Sequence, residues 1–196
     1  EDVFEVFEKL FLKVFTKFSN KKILQNKFPK ISYSETMLKY GTDKPDLRNP
    51  LIISDITEIF QRDDVKFEIF KKLVKSGSLV RCLITKNTKD KPRSFFDKID
   101  NWAKEQGSSG LAYFTIEKSE KFIGKGPVGK FFSEDSIKEI INLTNAKIGD
   151  TIFLSCGKKN EIEKNLNMAR VKLAEELDLI DENCFSFCWI VDYPMF

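Results

Sequence analysis

Between Tyr40 and Arg48 the chain reads Tyr-Gly-Thr-Asp-Lys-Pro-Asp-Leu-Arg, and this stretch limits every fold open to it. Gly41 can enter the left-handed region of φ, while Pro45 fixes its own φ and pushes Lys44 towards extended backbone. No helix or strand runs through both, so Asp43, Lys44, Asp46 and Arg48 are displayed on a tight, shaped loop. On these residues alone, Gly41 is a helix C-cap and the charges form a self-paired turn that positions the next domain.

The segments on either side carry clear periodicities. From residue 2 to 18, apolar residues at Val3, Phe4, Val6, Phe7, Leu10, Phe11, Val14, Phe15 and Phe18 make one helical face. Glu1 and Asp2 at its start and Lys13 and Lys17 near its end suit the macrodipole. So wide a phenylalanine face predicts a buried core helix rather than one lying on a membrane, given the acidic first turn. Ser32 and Glu35 have capping-box spacing for a short helix that Gly41 ends. Asn49-Pro50 then separates the loop from a strand-like run at 51–53, and a domain boundary is placed there. This divides the chain into 1–50, 51–156 and 157–196.

Residues 55–61 read as helical turns, with Asp55 and Glu58 at capping-box spacing. Strands are expected at 66–70, where polar and apolar residues alternate, and at 79–84, 111–116, 151–155 and 187–191. Residues 86–93 form a polar, solvated loop. Helices are expected from a Ser94 cap to 106, from a Ser133 cap to 144, and over 158–177, the last burying Ile162, Leu166, Ala169, Leu173 and Leu177. The pattern is that of an α+β fold, a largely antiparallel sheet with helices over one face.

The chemistry is mostly exclusion. Lys and Arg total 33 against 30 acidic residues, a bias of +3 that neither argues for nucleic-acid binding nor opposes it. There is no histidine, and Cys82, Cys156, Cys184 and Cys188 contain no C-x-x-C pair, so neither a metal site nor an activated nucleophile is expected. Free thiols in apolar runs fit a reduced, cytoplasmic protein. No apolar run approaches the roughly 18 residues of a membrane span. Both ends are abrupt, as in a piece cut from a longer chain. Gly124-x-Gly126-x-x-Gly129 has the letters of a dinucleotide fingerprint, but it contains Pro127 and meets a fresh helix cap at Ser133 instead of opening a helix directly. It reads as a glycine loop, with an RNA-backbone contact through Lys121, Lys125 and Lys130 as the second reading. The pairs Asp63/Asp64 and Glu175/Glu176 read as a turn and a solvated helix face. No catalytic residue is assigned.

Residues 40–48 resemble the YG(S/T)DKPDLR signature of bacterial-type aspartyl-tRNA synthetases, and Trp189-Ile-Val-Asp-Tyr-Pro-Met-Phe196 resembles the W-(I/V)-x-D-(F/Y)-P-M-F strand of the same family. In that family the segment between the two is an insertion, the GAD domain, also found in certain tRNA-dependent amidotransferase subunits. The resemblance implies a central fragment in which pieces of a class II synthetase catalytic domain flank a GAD insertion, the first helix packing on that domain. It implies a longer enzyme that activates aspartate with ATP and magnesium and transfers it to tRNA: aspartate tRNA, with asparagine tRNA left open. That enzyme would be a homodimer and the fragment a monomer. The arginine-bearing motifs that clamp ATP lie outside this sequence, so the fragment is expected to bind no cofactor and to be inactive alone. Asp43, Lys44, Asp46 and Arg48 would then be an ion-pair lattice at the hinge between core and insertion. The alternative is a tRNA-interaction module of an amidotransferase subunit.

Overall fold

A computed structural model describes residues 2–195; Glu1, read as part of the acidic helix start, and Phe196, the end of the aromatic motif, lie outside the described residues. Helix α1 (Asp2–Phe18) has no fully buried residue. One flank packs on the aromatic C-terminal segment: Phe4 meets Trp189 at 4.8 Å between ring centres and Phe15 meets Phe185 and Phe187 at 4.8 Å. The Trp189 indole donates to Glu8 Oε1 at 2.9 Å. The other flank, Val3, Val6, Phe7, Leu10, Val14 and Phe18, is exposed. The expected buried phenylalanine face is thus half covered.

Strands β1 (Lys22–Ile23) and β2 (Lys30–Ser32) each pair in parallel with a short strand near the other end of the chain. These partners are β8 (Cys184–Phe185) and β9 (Trp189–Val191). Between them lie α2 (Tyr33–Tyr40) and a five-stranded sheet. Its strands are β3 (Ser54–Asp55), β4 (Leu79–Thr85), β5 (Ala112–Lys118), β6 (Phe122–Lys125) and β7 (Thr151–Gly157). The order is β3-β4-β7-β5-β6 with every neighbouring pair antiparallel. The α+β class and the antiparallel sheet are as the sequence pattern implies.

Helices cover both faces rather than one. Val80, Cys82, Phe114, Ile116, Ile152 and Leu154 form one core with a 3-10 turn (Thr57–Gln61), α3 (Glu68–Lys75) and α5 (Glu134–Thr144). Leu83, Tyr113 and Phe153 point the other way, into a core with α4 (Arg93–Glu105) and α6 (Lys159–Glu176). The period-2 alternation is therefore apolar on both sides, which makes β4, β5 and β7 read as nearly continuous hydrophobic runs.

Several local expectations are corrected. Residues 66–70 are not a strand, because Phe67 at the cap of α3 is buried and Phe70 and Val74 within α3 pack against the same core at helical spacing, while Ile69 is exposed. Five alternating residues fit either period, and packing decides. Residues 51–53 pair with no strand; the ladder starts at Ser54. At 55–61 the helical turn is 3-10, and Asp55 Oδ1 accepts from the Thr57 N–H at 2.9 Å rather than from Glu58. Helix α4 begins one residue before Ser94, with Pro92 at its cap position. The glycine stretch contributes the edge strand β6, and a Cβ on Gly129 would lie 2.0 Å from the Gly124 carbonyl oxygen. Two backbone segments touch there, which accounts for the glycines without a nucleotide.

Candidate hinge site

The charged loop leaves α2 in the expected way. Ser32 Oγ accepts from the Glu35 N–H at 3.2 Å, and Gly41, at φ +69°, donates its N–H to the Met37 carbonyl at 3.1 Å. A Cβ on Gly41 would sit 2.2 Å from the Glu163 carbonyl oxygen, so the loop is pressed against the backbone of α6.

The four predicted charges form two separate pairs. Lys44 Nζ lies 3.0 Å from Asp43 Oδ2 at the exposed tip. At the base, Arg48 grips Asp46 with Nη2–Oδ2 at 2.7 Å and Nε–Oδ1 at 3.0 Å, and extends Nη1 to Glu182 at 3.1 Å. Among the described residues no ion pair joins tip to base. The Arg48 hydrogen bonds hold the Asp46 carboxyl below its usual range, and Lys44 does the same to Asp43.

The loop takes its shape from Arg170 on α6, which is 1% exposed. Its Nε donates to the Leu51 carbonyl at 2.6 Å and its Nη2 to the carbonyls of Asp46 and Asn49 at 2.8 Å each. The guanidinium lies 4.9 Å from the centre of the Tyr40 ring, and Asn49 Nδ2 donates back to the Arg170 carbonyl at 3.0 Å. A second buried arginine, Arg81 on β4, bridges Asp55 at 3.1 Å and Glu163 of α6 at 3.2 Å. Together they tie the loop and the sheet edge to one helix. Sequence reasoning did not single out Arg170 or Arg81. The available signal was position: Arg170 follows Ala169 on the α6 stripe between Leu166 and Leu173, all of them buried.

The three lysines of the glycine stretch do not converge. Lys121 sits in the turn before β6, and Lys130 lies over the Phe131 ring at 5.3 Å. Lys125, 3.0 Å from Glu117, lines a cavity of which Lys121 and Lys130 are not lining residues. One carboxylate of each pair is engaged structurally: Asp64 with Arg62 and the Ser133 hydroxyl, Glu176 with Lys172 and Lys98. All four cysteines are free, and burial pushes the Cys156 thiol up to about 11. Among the described residues no cluster of three or more metal-ligating side chains occurs, and no helix is long and apolar enough to cross a membrane.

A family model described as the GAD domain matches residues 70–166. Along its whole length the chain is 69% identical, over 196 residues, to an aspartate–tRNA(Asp/Asn) ligase of Pelagibacter ubique (strain HTCC1062), 33% of which it covers. It is 48% identical over 197 residues to the ligase of that name from Wolbachia pipientis subsp. Culex pipiens (strain wPip), covering 32% of it. A third, from Beijerinckia indica subsp. indica, is 43% identical over 197 residues, with 33% covered. The chain spans about a third of the length of these curated relatives.

Proposed function

We propose that the chain is the middle of an aspartate–tRNA ligase, the GAD-containing third of such an enzyme. The observation that carries this reading is identity running past the GAD limits on both sides, through the charged loop and through β9. The same observation favours a ligase over an amidotransferase subunit.

The proposed reaction of the longer protein is activation of aspartate by ATP, with subsequent transfer to tRNA; the relatives' names support both aspartate and asparagine tRNAs. ATP and magnesium belong to that longer protein. The described residues offer no acidic cluster suited to the metal, and no step is assigned to them. This chain's own contribution is position. We divide it into catalytic-domain segments at 1–50 and 157–196 around an insertion at 51–156, with Arg170 and Arg81 holding the hinge and Asp43, Lys44, Asp46 and Arg48 on its surface. Lys121, Lys125 and Lys130 are the proposed contacts to the tRNA backbone, through charge alone. The longer protein is read as a cytoplasmic homodimer.

Aspartate-dependent ATP–pyrophosphate exchange, run on this chain beside the longer polypeptide, tests the reading. Exchange by the longer protein and silence from the 196-residue chain is the expected result. Silence from both, where a known synthetase works, would overturn it.

A further inference from the structure

The segment between β4 and α4, read from sequence as a solvated loop, is fixed from beneath. Buried Asp150 accepts from the Asn87 N–H at 3.0 Å and from the Lys147 N–H and Lys86 Nζ at 2.9 Å each. The Thr88 hydroxyl joins a buried chain of hydroxyls with Thr85, Thr151 and Thr115 at 2.8–2.9 Å. The loop therefore holds Lys89 and Lys91 in place, beside Arg93 in the first turn of α4. These three and Lys125 from β6 surround a cavity of about 550 Å³ whose lining contains one carboxylate, Glu117.

Two further observations point to an anion. Tyr113 is 8% exposed as a residue and lines the cavity, and its hydroxyl, accessible to solvent, has no hydrogen-bond partner among the described residues. A tyrosine hydroxyl is protonated at neutral pH and able to donate. In addition, α4 has no side-chain cap and no acidic residue in its first turn, so its positive end faces cations. Asp97, 3.4 Å from Arg93, offsets part of that charge, and Lys91 is left without a carboxylate partner among the described residues.

We propose that this cavity binds a phosphate group carried on a nucleotide-sized body, either a free nucleotide or one residue of an RNA strand. Lys89 and Lys91, which pair with no carboxylate among the described residues, stand beside the already paired Arg93 and Lys125 and a hydroxyl donor; this set suits phosphate oxygens better than a single carboxylate, and the volume leaves room for the body that bears the phosphate. One face of Tyr113 is stacked on Phe96 at 4.5 Å and 13°, and its ring edge lies against the Gly126 backbone. No open aromatic platform is offered, so recognition is electrostatic and indifferent to the base. The site does not depend on aspartate activation by the longer protein.

The test is a titration of the chain, monitored by amide NMR, with AMP, CMP and an oligouridylate hexamer. Saturable shifts are expected at the amides of residues 91–96 and at Gly126, with AMP and CMP within about threefold of each other. Saturation by AMP identifies a free nucleotide as the source, and saturation by the hexamer alone identifies a strand; either supports the site. Lys89→Gln and Lys91→Gln, both at exposed positions, should each weaken binding about threefold to fivefold, and more at low salt than at high. Tyr113→Phe, which keeps the ring packing, should weaken it about threefold. The proposal is overturned if neither nucleotide nor hexamer gives saturable shifts, or if the Lys89→Gln/Lys91→Gln double variant keeps a native spectrum and unchanged affinity. Failure of pyrophosphate exchange would leave this result untouched.

Discussion

Arg170→Met keeps most of the side-chain stem and removes the donors that shape the charged loop. Three buried or half-buried carbonyls, those of Asp46, Asn49 and Leu51, then lose a partner at 2.6–2.8 Å. Hydrogen bonds from a charged donor are worth about 1.5–3 kcal/mol each, and orphaned acceptors cost on a similar scale. Against a gross loss of roughly 5–9 kcal/mol stands the relief of no longer burying a guanidinium, several kcal/mol for an ion out of water. That penalty is real here, since burial is the leading influence on Arg170 and pushes its pKa down. The difference leaves a net destabilisation of about 3–4 kcal/mol, near the upper end for single substitutions. In a chain of this length 1 kcal/mol moves the melting temperature by about 2–4 °C, so a drop of roughly 6–16 °C is expected. Urea denaturation of the two proteins gives the free energy, and calorimetry the temperature. Arg170→Lys should recover part of the loss, because an ammonium keeps the charge without the planar fork. A Met variant within about 1 kcal/mol of the original would show that the loop holds its shape without α6, and the hinge argument would fail.

Two further substitutions separate neighbouring effects. Gly41→Ala places a Cβ 2.2 Å from the Glu163 carbonyl at φ +69°, whereas Gly107→Ala, at φ +84°, meets nothing within 4 Å. The second should cost only the left-handed penalty of about 1–2 kcal/mol and the first distinctly more by urea denaturation; equal losses would mean that the loop does not press on α6. Asp64 is held at about 2, below the ordinary 3.8, chiefly by Arg62. Its folded pKa is depressed, so its stabilisation is present above about pH 4 and is lost as the pH falls through 2. Asp64→Asn should flatten the acid limb of stability between those values, and an unchanged limb in a pH series of melts would show that the pair is not formed in solution.

Local chemistry was legible in the sequence wherever a signal is completed within a few residues. Ser32 with Glu35 and Gly41 set both ends of α2, Ser133 capped α5, and the stripe through Ile162, Leu166 and Leu173 gave α6 its buried face. Residues 66–70 were misread because alternation and helical spacing share the same few apolar positions, and only the core that receives Phe67 and Phe70 separates them. The two-sided covering of the sheet was partly visible in the near-continuous apolar runs of β4, interrupted only by Arg81 before Thr85, and of β7 at Ile152, Phe153 and Leu154. Arg170 was not legible as a clamp, because its acceptors lie 119 to 124 positions away in the sequence. Nor was the cationic cavity, assembled from one loop, one helix end and one edge strand.

A buried arginine performs the clamping because of the loop's own backbone. Residues 41–53 make no sheet ladder, yet Asn49, Leu51 and Ile53 are buried, and buried carbonyls require donors. The amides of α6 are spent inside the helix, so a side chain must supply the missing N–H groups, and only arginine carries several in one plane. The surface charges are therefore secondary. Asp43 with Lys44 is an exposed pair of the kind that contributes little, while Asp46 with Arg48 shapes the base of a turn whose carbonyl is already held from α6. The signature charges decorate a path that Gly41, Asn49 and Arg170 enforce.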